Sequence, residues 1–153
     1  MSQIGPETAF GQQAALLSIE GISTNPRQQF ILDLIESVKE WRKDLDDLMI
    51  LLDANQDLTS STGQSLTTLM RECQLVNLFH HHHGVRPTFS TYDLGSKRLD
   101  YAIVTATLSP YVIKCGYLPF YLGVSSDHRG LFIDLSTEII DGLLGWKLYP
   151  GVN

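Results

Sequence analysis

Asp127 and His128 set a carboxylate beside an imidazole, just ahead of residues 131–135, an apolar segment that reads as a strand. An imidazole titrates near neutrality, so His128 is a candidate general acid or base. Asp127 is a candidate metal ligand or water-orienting group. Asp100 lies within an apolar stretch, between Leu99 and Tyr101. A carboxylate there needs a donor or a counter-charge. Two partners are open: Arg98, two residues back on the same face of a strand, or a histidine whose tautomer Asp100 would fix. Asp53 and Asn55 follow the apolar run Leu48-Met49-Ile50-Leu51-Leu52. Two apart on an extended chain, they point the same way. That sets a proton acceptor beside an amide able to donate to an oxyanion. An Asx-rich turn after a strand accounts for the same two residues.

The elements that must position these groups are legible in outline. A short helix or strand is expected around residues 14–19. Asn25-Pro26 is a helix start, with Asn capping and Pro at the first helical position. Phe30, Leu34, Val38 and Trp41 recur at helical spacing, which predicts a helix over 26–43. Residues 48–52 form a continuous apolar run too short for a helix, so a strand buried on both faces is expected. Ser65 can cap a short helix carrying Leu66, Leu69, Met70 and Cys73. Strands are expected over 75–79, 98–105, 111–115 and 131–135, with an extended piece at 88–91 and a turn at 93–97. Thr137 can cap a last short helix. Helices covering one face of a mixed sheet make an α/β or α+β layer.

Other clusters point less sharply. His80–His83 is four histidines in a row, which is not ligand spacing, and beside Gly84 it reads as an exposed strand end. Arg86, Lys97 and Arg98 flank the candidate site segments and can meet a phosphate or serve as ordinary surface charges.

Bulk composition narrows the classes. With 153 residues, 43% of them hydrophobic, the chain can form one domain with a core of useful size. A formal charge of -6 argues against non-specific nucleic-acid binding through Lys and Arg, although a local basic cleft or a divalent cation can still serve a nucleic acid. Cys73 and Cys115 read as buried thiols of a reducing, intracellular compartment. There is no basic-then-apolar leader, and no apolar run approaches the roughly 20 residues of a membrane span.

Taken in order, Leu52-Asp53-Ala54-Asn55, Arg98-Leu99-Asp100-Tyr101 and Ser126-Asp127-His128 resemble the C-terminal half of the endonuclease/exonuclease/phosphatase family, which has the DNase I-like fold. That family carries Gly-Asp-x-Asn, Arg-Ile-Asp-Tyr and Ser-Asp-His blocks. Pro87-Thr88-Phe89 and Tyr92 are similar to its stretch ahead of the second block. The style of the chain also resembles the endonuclease-like domains of retroelement-type reading frames.

The resemblance implies divalent-metal-dependent phosphodiester hydrolysis, with Mg²⁺ or Mn²⁺ as cofactor and DNA or RNA as substrate. His128 would be the general acid/base at the phosphate and Asp100 would fix its tautomer. Asp53 would activate the attacking water, Asn55 would bind the phosphate or water, and Asp127 would ligate the metal. Tyr92 and Arg98 would contact substrate. Leu52 stands where the family has Gly.

The family's N-terminal half, with its Asn block and Glu ligand, has no counterpart before residue 48, and Glu7 and Glu20 lie in unpatterned surroundings. The chain therefore reads as one half of a four-layer αββα sandwich. A partly ordered segment is expected over 1–25, the half-domain over 26–145 and a tail over 146–153. An unpartnered half is expected to be weakly active, and to self-associate or take up a complementing half. The alternatives are a catalytically silent remnant serving as a binding or oligomerisation module, and a phosphomonoesterase for small phosphorylated ligands.

Overall fold

The computed structural model describes residues 5, 8–44, 47–59, 64–84, 89–122 and 125–136. The expected helix at Thr137, the tail, Arg86, Pro87-Thr88 and Glu7 lie outside them. The chain divides into two compact units, Met1–Asp46 with Gln56–Leu75, and Asp47–Asn55 with Val76–Asn153. The fold is α+β, with antiparallel strand pairing.

The first unit is helical. Thr8 caps α1 (Ala9–Ile19), its hydroxyl accepting from the Gly11 N–H at 3.1 Å, so this helix is longer than residues 14–19. Asn25 caps α2 (Pro26–Trp41) by accepting from the Arg27 N–H at 3.0 Å. A 3₁₀ turn, Arg42–Asp44, follows. Ile31, Ile35 and Val38 are the buried stripe of α2, and Leu66 and Leu69 are that of α3 (Gln64–Glu72). The Arg42 guanidinium donates to the Cys73 carbonyl at the end of α3. This satisfies one of the acceptors that a helix end leaves open.

The second unit carries the candidate site residues. β1 (Met49–Asp53), β3 (Asp100–Thr105) and β2 (Leu75–Asn77), which begins at the unit boundary, form a sheet in the order β1-β3-β2. β1 runs antiparallel to β3, with Asp53 opposite Asp100. β4 (Val112–Tyr117) and β5 (Leu131–Leu135) form a separate antiparallel pair. The core gathers Leu78, Ala102, Val104, Leu108, Val112 and Cys115.

Two expectations are corrected. The 48–52 run is not buried on both faces: Leu51, 60% exposed, lies with exposed Asp53 on one face of β1, while Ile50 and Leu52 on the other are partly buried. The strand expected over 75–79 stops at Asn77, and the histidines lie in a helix, α4 (Leu78–His83), not at a strand end. The Asn77 side chain caps it by accepting from the His80 N–H at 3.2 Å, and Gly84 at φ +68° ends it. His80, His81 and His82 are exposed, whereas His83 turns inward, its Nε2 lying 2.8 Å from the Cys115 carbonyl. Cys73 and Cys115 are free and buried, and burial pushes both thiols up, so they remain protonated near neutrality.

Candidate active site

The cross-strand register is what builds the site. Asp53 ends β1, Asp100 begins β3, and the two are direct partners. Residues directly opposite in an antiparallel pair share a face, and like charges there repel. The arrangement calls for a positive partner, and His128 supplies one. Its Nδ1 lies 2.9 Å from Asp100 Oδ2 and 3.1 Å from Oδ1. Asp53, Asp100 and His128 bring one ligand atom each within 4.8 Å of one another, a group able to hold a metal ion.

Each of the three is fixed locally. Asn55, at φ +48°, folds back so that its backbone N–H donates to Asp53 Oδ1 at 2.9 Å and its amide to Oδ2 at 3.2 Å. The Ala54 N–H donates to the Leu99 carbonyl and carries the β1–β3 pairing one step further. The Asp100 carbonyl accepts from the Tyr117 hydroxyl at 2.7 Å. Burial pushes the Tyr117 phenol well up, so it stays a donor. His128 is paired with Tyr92 through an isolated antiparallel bridge, and the two rings lie 5.2 Å apart. Its backbone N–H donates to Ser126 Oγ at 3.0 Å.

The electrostatics favour an imidazolium. Burial alone would lower the His128 pKa, but the hydrogen bond to Asp100 and the charges of Asp100, Asp53 and Asp127 together raise it above 6.5. Committing Nδ1 to Asp100 fixes the tautomer and leaves chemistry to Nε2.

Of the residues singled out from sequence, Asp53, Asn55, Asp100 and His128 come together, and Tyr92 stands beside the imidazole. Asp127 is exposed and outside the ligand group; its backbone carbonyl accepts from the Asp93 N–H. Arg98 does not pair with Asp100. Its guanidinium lies 4.4 Å from the ring centroid of Phe79, 4.8 Å from that of Phe89 and 6.0 Å from that of Tyr117. Its buried Nε has no hydrogen-bond partner among the described residues. This cation–π packing gives the side chain a place in the interior.

Three further residues hold the site with little or no signal in the sequence. Thr91 and Tyr117 hold the backbone at Asp100. Arg129 donates from Nε to the Ser90 carbonyl at 2.8 Å and from Nη1 to the Leu118 carbonyl at 3.2 Å, with its guanidinium 4.0 Å from the Phe120 ring. Adjacency to His128 was the one available signal for Arg129; the other two carry none.

No family model matches the chain. No curated protein matches it either. Among solved structures, the chain is similar to the AP endonuclease LMAP from Leishmania major, at 25% identity and a TM-score of 0.40. The likeness spans 46% of this chain and 23% of that one.

Proposed function

We propose that the second unit is a divalent-metal-dependent phosphodiesterase site of the endonuclease/exonuclease/phosphatase kind, acting on nucleic acid. The observation that carries this reading is the Asp100–His128 pair facing Asp53: an oriented imidazole beside two carboxylates that need a positive charge between them. The three sequence blocks that resemble that family supply these residues. The chain also resembles the retroelement-type endonuclease-like domains in style, and an intracellular setting suits the two free thiols.

In this reading Asp53 accepts a proton from the attacking water, and Asn55 holds the Asp53 carboxylate in place. The water oxygen bonds to phosphorus as the bond to the leaving oxygen breaks. Nε2 of the His128 imidazolium gives that oxygen its proton, while Asp100 stabilises the charge and orientation of the ring. The donor chemistry fits a hard cation. Mg²⁺ is commonly held by one or two carboxylates, waters and substrate phosphate, and here Asp53 and Asp100 would hold it, with Mn²⁺ suited to the same set. A cation so held would offset charge on the phosphate oxygens.

The test is nicking of supercoiled plasmid in Mg²⁺ by the wild-type chain and by His128→Ala. Loss of nicking by about 100-fold or more in the variant is expected, the range for a general acid/base. Nicking that survives the substitution would remove His128 from the chemistry. A panel of plasmid, abasic duplex and inositol phosphate separates this reading from a phosphomonoesterase.

A further inference from the structure

Thr91 is fully buried, yet it belongs to no regular element. Its polar atoms are nonetheless occupied in an unusual way. The hydroxyl oxygen accepts two successive backbone N–H groups, from Leu99 at 2.9 Å and from Asp100 at 3.2 Å. Its carbonyl accepts from the Arg129 N–H at 2.9 Å, and its own N–H donates to the Lys97 carbonyl at 3.2 Å. One residue therefore grips the chain just before the Asp100 carboxylate and just after the His128 imidazole. The next two residues continue the second grip. Tyr92 bridges to His128, and the Asp93 N–H donates to the Asp127 carbonyl at 2.8 Å.

We propose that Thr91 is a positioning residue that sets the separation of the Asp100 and His128 side chains, and so maintains the hydrogen bond on which the site depends. It touches no substrate in this role; it acts through the two residues it spans.

The physical argument is one of reach. Asp100 and His128 lie 28 positions apart in sequence. Asp100 begins β3, and His128 precedes β5, a strand of a different sheet. Among the described residues no strand-to-strand ladder therefore fixes one against the other. The 91–93 segment does so, with a side-chain oxygen on one side and backbone pairing on the other. A buried acceptor serving two N–H groups is costly to remove, because both donors are then left without a partner. Valine has the shape of threonine without the hydroxyl, and serine has the hydroxyl without the methyl.

This inference deepens the phosphodiesterase reading and rests on it for its functional meaning, so its test must report without turnover. Thr91→Val and Thr91→Ser are compared with wild type by NMR, following the hydrogen-bonded Nδ1–H signal of His128 and the amide exchange of Leu99, Asp100 and Arg129. In Thr91→Val the Nδ1–H signal should be lost or broadened to exchange, and the Leu99 and Asp100 amides should exchange at least 10-fold faster. Thr91→Ser should retain the signal. Where nicking is measurable, kcat should fall in Thr91→Val and recover in Thr91→Ser with KM little changed. A Thr91→Val protein that keeps the Nδ1–H signal at its wild-type shift overturns the proposal.

If the valine variant does not fold, wild-type exchange alone decides. The Leu99, Asp100 and Arg129 amides should be protected and exchange together, and an Asp100 amide exchanging at the unprotected rate overturns the proposal. A wild-type chain that cleaves nothing, with these NMR outcomes as expected, sinks the phosphodiesterase reading and leaves the clamp standing.

Discussion

At the scale of single residues, pH acts through His128. Its folded-state pKa is raised above 6.5, by the Asp100 hydrogen bond and the surrounding carboxylates outweighing burial. The folded state therefore holds this proton more tightly than the unfolded chain does. The resulting stabilisation is fully present below the unfolded value of about 6.5 and is lost as pH rises through the higher folded value. Asp100→Asn removes the nearest charge and should lower the His128 midpoint, read from the imidazole carbon-bound protons by NMR titration; an unchanged midpoint would contradict the pairing. The Asp127-His128 and Asp53/Asn55 clusters were legible as chemistry because Asp, Asn and His were packed against apolar runs. Which partner Asp100 takes was not legible. Arg98 and a histidine both satisfy a carboxylate, and the choice fell to the histidine because Phe79, Phe89 and Tyr117 enclose the guanidinium.

At the scale of elements, β1 and α4 show where local pattern is outweighed. A continuous apolar run says that a strand forms, but not whether both of its faces are covered. In β1 the face that carries Leu51 and Asp53 is open, and Leu51 is 60% exposed. Leu51→Ala should therefore change stability by no more than about 0.5 kcal/mol. Leu78→Ala should cost about 2–5 kcal/mol, because Leu78 is fully buried where α4 meets the core of the second unit. Urea unfolding of both variants checks the contrast. The helical state of the histidine run had one available signal, Asn77 as a cap ahead of Leu78. Histidine itself has little preference for helix, so the cap and the burial of Leu78 decide. The 131–135 strand and the start of α2 stood where expected because their signals are local: a short apolar run in the first, Asn-Pro in the second.

At the scale of the whole molecule, the expected observable is linkage to a cation. A cation that binds the folded chain and not the unfolded one adds about 2.7 kcal/mol at 100 times its Kd. Titrating Mg²⁺ should raise the Tm of the wild type, and EDTA should reverse it. Asp53→Asn should start at a higher cation-free Tm, since it relieves the repulsion with Asp100, and should lose most of the Mg²⁺ response. A Tm indifferent to Mg²⁺ in both proteins would count against a resident divalent ion. Among the described residues no helix is long and apolar enough to cross a membrane. The sequence by itself determined the inventory: α2, the β5 strand, the apolar runs, and the acidic and imidazole groups beside them, because capping and periodicity act over a few residues. Tertiary structure alone decided the β1–β3 register that sets Asp53 against Asp100, the seating of Arg98 among aromatic rings, and the grip of Thr91 on two distant segments. Those are meetings of residues far apart along the chain, and closing such loops is governed by the sum of packing and hydrogen bonding rather than by any local preference.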